Sequence, residues 1–357
     1  MRVRFIGIMP SQGYSGGRLL SICLAESLAM SNVDVDYCTD HIPEMYSEFK
    51  DFSKVKYKEC DLNNLSSLSD ENIDVVIIIP HQGGVSLHGE WSRHAIECHA
   101  KIVLLNFESP NWFNALSPVK RDPKLWSGWD IVSEFADCIL SISSEGNKYA
   151  LQYYKYVKSN CIFQFCYTAI NSIAADSAPE QKMRDKTITV LTRVDPHKGF
   201  DSLEPLIDNS LRGYEVKIFL GNGSISSEKQ IEWAKKFDRV GIRLSISPAI
   251  KGVEKFTLLK KSSLLYFPTR FEGFGIPPLE AAYCKLPTAC SDLPVLREFG
   301  GTALTYADPS SPKEMLSAIH TALADNERVL ENHSRISDIA RMDACGLRLK
   351  NILSGLF

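Results

Sequence analysis

The chain has 357 residues with 44% hydrophobic and 23% charged content, enough for two domains that each bury a core. Its formal net charge of −3 gives no general attraction to nucleic acid. No apolar run approaches the roughly 20 residues of a membrane span. The start MRVRFIGIMPSQG lacks the core of a signal peptide, and the ten cysteines form no short regular framework, so a reducing cytoplasm is the expected compartment.

Residues 3–9 (VRFIGIM) read as a strand, followed by the glycine loop Gly13-Tyr14-Ser15-Gly16-Gly17. Residues 18–30 then place Leu19, Leu20, Cys23, Leu24, Ser27 and Leu28 at helical spacing. This β–loop–α opening begins a doubly wound sheet. Residues 33–38 are a second strand. Residues 74–80 (DVVIIIP), 102–105 and 136–143 (ADCILSIS) are continuous apolar runs, as expected of strands covered on both faces. Residues 144–156 read as a helix. Strands alternating with helical patterns predict parallel β/α layers. The polar stretch 171–186, which contains Pro179, is the expected linker between a first domain (1–170) and a second (187–342). Residues 343–357 close the chain as an amphipathic helix.

The densest local information lies at 271–281, FEGFGIPPLEA. Glu272 and Glu280 bracket a glycine-proline turn between an apolar run (264–267) and a helix start. Gly273 and Gly275 permit positive φ and close approach of backbone N–H groups to an anion. Arg193 and Lys198 follow another apolar run, 188–191, and two cations there can neutralise a diphosphate. Phosphate on the amides and hydroxyls on the glutamates describe a nucleotide-sugar. Two solvated acids and two surface cations are the plainer alternative.

The spacing of the two glutamates resembles the Glu-x7-Glu motif of retaining GT-B glycosyltransferases of family 4. ITVLTRVDPHKGFD (188–201), KIFLGNG (217–223) and LPTACSDLPVLREFGGTALTYADP (286–309) are similar to that family's segments in the same order. The resemblance implies an α/β GT-B fold, two Rossmann-like domains facing each other across a cleft, with the terminal helix crossing back onto the first. It implies a retaining, front-side transfer from a UDP- or GDP-linked sugar to a glycan or lipid-linked glycan acceptor, as in bacterial surface polysaccharide synthesis. Arg193 and Lys198 would stabilise the departing diphosphate, Glu272 would hold the donor sugar and Glu280 the ribose. Gly16, Gly17, Gly221, Phe274, Gly275 and Ile276 would line the donor. No cofactor and no divalent metal are implied. The competing enzymatic reading is a disaccharide synthase or phosphorylase-like GT-B enzyme, and the competing non-enzymatic one is a silent glycan-binding GT-B protein.

Two features depart from the family pattern: Thr269-Arg270 precedes Glu272, and Lys285 stands where glycine is frequent. Arg270 either tunes donor choice or sits on the surface. Relatives often carry a histidine after the strand at 102–105. Here the loop reads Asn106-Phe107-Glu108-Ser109-Pro110, leaving Glu108, Asn106 or His81 for that position. Trp91, Trp112, Trp126 and Trp129 are suited either to stacking on acceptor sugars or to packing. Lys148, Lys155 and Lys158 with Tyr149, Tyr153, Tyr154 and Tyr156 offer a face for peripheral contact with an anionic membrane, although a solvated helix face is the commoner fate. Gly13-x-Ser15-x-Gly17 matches a nucleophile elbow, but only one strand precedes Ser15, and that excludes it. His-Glu-x-x-His is absent.

Overall fold

The computed structural model describes residues 1–9, 15–42, 44–68, 72–82, 85–221 and 223–357, so Gly13 and Tyr14 of the first glycine loop lie outside the described residues. The first sheet contains β1 (Arg2–Ile6), β2 (Asp34–Thr39), β3 (Lys56–Glu59), β4 (Val75–Ile78), β5 (Lys101–Asn106), β6 (Cys138–Ser141) and β7 (Ile162–Phe165). The second contains β8 (Thr187–Thr192), β9 (Glu215–Leu220), β10 (Arg243–Pro248), β11 (Leu264–Phe267), β12 (Thr288–Ser291) and β13 (Thr305–Ala307). Their orders are β3-β2-β1-β4-β5-β6-β7 and β10-β9-β8-β11-β12-β13, and the described pairs are parallel. These are two Rossmann-like layers, as expected.

The central strands β4, β6 and β11 are buried along their full length, which is why they read as unbroken apolar runs. The strand order reverses between β1 and β4, and again between β8 and β11. A crevice opens there beyond the carboxyl ends of the strands.

The expected linker is more ordered than its composition suggested. It carries the helix Ser172–Ser177, capped by Asn171, whose side chain accepts from Ala174 N–H at 3.0 Å. Arg184 fastens its far end by donating to the carbonyls of Leu259, Lys260, Ser262, Cys284 and Lys285. The terminal helix Met342–Ser354 packs on helix Gly16–Met30 of the first domain, and Lys350 donates to Ser31 O at 3.0 Å.

The domains also meet through two glutamates placed on helix N-termini, where a negative charge is favoured. Glu298 accepts the N–H groups of Ser144 and Glu145 at the start of helix Ser144–Tyr153. Glu48, from the first domain, accepts Gly252 N–H at 2.8 Å at the start of helix Gly252–Lys261.

Candidate functional site

A cleft of about 250 Å³ lies between the carboxyl ends of the two sheets. It is lined by Gly16, Gly17, Glu108, Arg193, Lys198, Gly221, Glu272, Phe274, Gly275, Ile276 and Glu280. Each follows a strand end. Gly16 begins the helix after β1, Glu108 follows β5, Arg193 and Lys198 follow β8, Gly221 follows β9, and the glutamate turn follows β11.

On the second-domain wall, Lys198 Nζ donates to Glu272 Oε1 at 2.7 Å, and Thr269 Oγ1 donates to the same oxygen at 3.1 Å. The one proton of this threonine, which departs from the family pattern, also has the carbonyls of Phe271 and His197 within reach at 3.0 and 3.1 Å. Gly275 caps helix Ile276–Tyr283 with φ +104°, where a Cβ would also fall 2.4 Å from Leu296 Cδ2. Gly273 has a different reason. It does not adopt positive φ, but a Cβ there would come within 2.6 Å of Phe107 O in the first domain. Pro277 and Pro278 lack N–H groups, so the amides left at this helix start belong to Phe274, Gly275 and Ile276, residues that line the cleft. The Phe274 side chain turns away and packs on Phe299 and Tyr167. Arg193 lies 3.4 Å from Asp195, and its stem passes Gly221.

Glu280 is buried in the helix and bonded to Lys255 at 2.6 Å, a cation the sequence reading missed. Burial pushes the Glu280 carboxyl up, and the Lys255 ammonium opposes the rise. The clue available was a lysine beside Phe256 on a helix whose other buried positions are mostly apolar.

On the first-domain wall, a Cβ on Gly16 would meet open space, so packing alone does not require glycine there. Burial raises the Glu108 carboxyl. Arg121, Lys198 and Arg193 draw it back down, and Glu272 opposes them. Arg121 was also missed; its guanidinium lies 4.3 Å over the Phe113 ring. His197 lines the cleft, and burial together with Lys198, Arg193 and Arg121 pushes its ring down to about 3. It is therefore a neutral imidazole at ordinary pH.

Several open alternatives are narrowed by where the residues lie. Asn106 is committed elsewhere: its amide donates to Ser141 Oγ at 3.1 Å and its Oδ1 accepts from Tyr154 at 3.0 Å. His81 stacks near His88 and Trp91 and does not line the cleft. Of the three candidates, Glu108 faces the site. Trp91, Trp112, Trp126 and Trp129 are at most 5% exposed, so they pack rather than offer sugar platforms. Arg270 bonds Asp201, Pro196 O and Ser202 and does not line the cleft, so it braces the loop that carries His197 and Lys198. The basic aromatic face is largely used within the fold. Tyr149 stacks on Trp112, Tyr153 bonds Asp130, Tyr154 is buried, Lys148 pairs with Glu145 and Lys158 with Asp137. Lys285 adopts φ 58°, the left-handed conformation that favours glycine.

Among the described residues no group of three or more His, Cys, Asp or Glu is gathered to hold a metal ion, and no helix is long and apolar enough to cross a membrane.

Residues 173–342 match the family model for glycosyl transferases group 1. The serotype-specific mannosyltransferase WbdA of Escherichia coli is 22% identical over 248 residues, 64% of this chain and 30% of its own length. The O-antigen chain mannosyltransferase RfbU of Salmonella typhimurium is 40% identical over 62 residues, 17% of this chain and 18% of its own. The chain thus spans 30% and 18% of the lengths of these curated relatives. Among solved structures, TarM superposes with a TM-score of 0.74 at 10% identity over 99% of this chain and 98% of its own. HepE of Anabaena, solved with UDP and glucose, gives 0.70 at 13% identity over 99% and 100%. The chain therefore has the GT-B fold along its length, and its residues 173–342 match the model for glycosyl transferases group 1.

Proposed function

We propose that the protein is a retaining, metal-independent glycosyltransferase that moves a hexosyl group from a UDP- or GDP-linked sugar to a glycan or lipid-linked glycan acceptor. The observation that carries this reading is the convergence, on one interdomain cleft, of Arg193, Lys198, Glu272 and Glu280 from one wall with Glu108 and the glycine-led helix start from the other. Arg193 and Lys198 offset the diphosphate charge, with the helix N-terminus at Gly16 favouring the same anion. Glu280 accepts the ribose hydroxyls. Glu272 and Glu108 face the sugar, which gains positive charge as the bond to the diphosphate breaks. The acceptor oxygen forms its bond to the anomeric carbon on the face the diphosphate leaves. The electron pair of the broken bond goes to the diphosphate, whose oxygen takes the acceptor proton. The names of the WbdA and RfbU relatives support a mannosyl donor and a surface-polysaccharide acceptor.

A thermal-shift screen against UDP-, GDP-, ADP- and dTDP-sugars tests the donor, because a ligand that binds only the folded state raises Tm. One class is expected to stabilise the protein, and no shift with any would overturn the reading. NMR of the product is expected to show the donor's anomeric configuration, and activity is expected to survive excess EDTA. An inverted product, or loss of activity restored by magnesium or manganese, would contradict the mechanism.

A further inference from the structure

Glu280 and Lys255 are 2% and 4% exposed, yet both line the cleft. A lone carboxylate at that depth would take up a proton. A protonated carboxyl donates one hydrogen bond and no longer accepts freely from two hydroxyls. Lys255 Nζ, 2.6 Å from Glu280 Oε1, opposes this and pins one oxygen. A third charge arrives from the first domain. Glu48 Oε2 accepts Gly252 N–H at 2.8 Å at the start of the helix that carries Lys255. Its Oε1 is buried with no hydrogen-bond partner among the described residues, and Asn171 holds its carbonyl at 3.1 Å. Burial and the Glu48 charge both push the Glu280 carboxyl up, and Lys255 opposes them, so the three groups act on one another across the domain boundary.

We propose that Lys255 is a positioning residue for the donor: it holds Glu280 as an oriented anion for the ribose hydroxyls, and Glu48 fastens it to the first domain, so ribose recognition depends on the domains being docked. This rests on the reading in which Glu280 receives the ribose. Lys255 itself need not touch the ligand. Its effect is therefore confined to ligands that carry the two hydroxyls.

The test is the calorimetric affinity for the nucleoside diphosphate selected by the thermal screen, compared with its 2′,3′-dideoxy analogue. Wild type is expected to favour the ribose form by about tenfold or more, the size of a charge-assisted contact. Lys255→Met is expected to lose that preference by weakening the ribose form alone. A general structural defect would weaken both ligands equally, and that outcome, or an intact preference, would overturn the proposal. Should the single variant fail to fold, Lys255→Met/Glu280→Gln leaves no unpaired buried charge and is expected to bind like Glu280→Gln alone. Weaker binding by the double variant would contradict action through Glu280. Glu48→Ala is expected to shrink the preference from outside the cleft, and an unchanged ratio would overturn the coupling between domains. Wild type with no affinity for any nucleoside diphosphate would instead bring down the donor reading itself.

Discussion

The two walls of the cleft hold their charges in different ways. On the second-domain wall, Glu272 and Glu280 are each paired with a lysine of the same domain, at 2.7 and 2.6 Å. The Lys198–Glu272 pair lies wholly within the second domain, while the helix that carries Lys255 is also fastened by Glu48 of the first. On the first-domain wall, Glu108 is balanced by Arg121 of its own domain but also by Lys198 and Arg193 across the cleft. Its ionisation therefore depends on the other wall being in place. The contrast fits the proposed division of labour: the diphosphate and sugar contacts are prepared on one wall, while ribose recognition and the reaction are completed when the walls meet.

The largest expected effect separates the two glutamates of the prepared wall. Glu272 is proposed to contact the sugar, whose charge changes in the transition state, so Glu272→Gln should lower kcat by about tenfold to a thousandfold. Glu280 is proposed to contact the ribose, which changes little, so Glu280→Gln should chiefly raise the donor KM. Steady-state kinetics on both variants check this, and equal effects on KM alone would leave Glu272 a binding residue only.

Next comes the seam itself. In Gly273→Ala the new Cβ would meet Phe107 O, a backbone atom of the opposite wall that cannot rotate aside. Overpacking of this kind typically costs about 1–3 kcal/mol. Denaturant unfolding should show that loss, and kcat should fall more than donor affinity. Unchanged stability and activity would mean the walls are not held this closely.

The smallest effect is a change of pH profile. Burial raises the Glu108 carboxyl, so activity should fall as pH drops through a value above the usual ~4.3 of glutamate. The ionised form is the working one, so the loss lies on the acid side. Glu108→Gln should remove that acid limb while leaving diphosphate affinity unchanged. A limb that persists would assign it to another group.

The contrast between the walls also explains what could be read in the chain. The second wall lies in contiguous segments, FEGFGIPPLE and RVDPHK, where turn chemistry and charge spacing are local. The central strands β4, β5, β6 and β11 were legible because burial on both faces demands unbroken apolar runs. Edge strand β3 (KYKE) was not, since a half-exposed edge needs no such run. Lys255 and Glu48 escaped notice because each is an ordinary helix-surface residue type until folding buries it against a distant partner. Asn106 was a reasonable candidate by position, but its bonds to Ser141 and Tyr154 arise only from tertiary packing. Glu108 remained one of three because nothing local distinguishes a glutamate that faces a cleft from one that faces water.

The central claim is that Arg193 and Lys198 receive a nucleoside diphosphate in this cleft. Calorimetric titration of UDP and GDP into wild type and into Arg193→Ala and Lys198→Ala tests it most directly. The account predicts single-site binding to wild type by at least one of the two, and a loss of about 1.5–3 kcal/mol in each variant, the size of one charge-assisted contact. Unchanged affinity in both variants would contradict it.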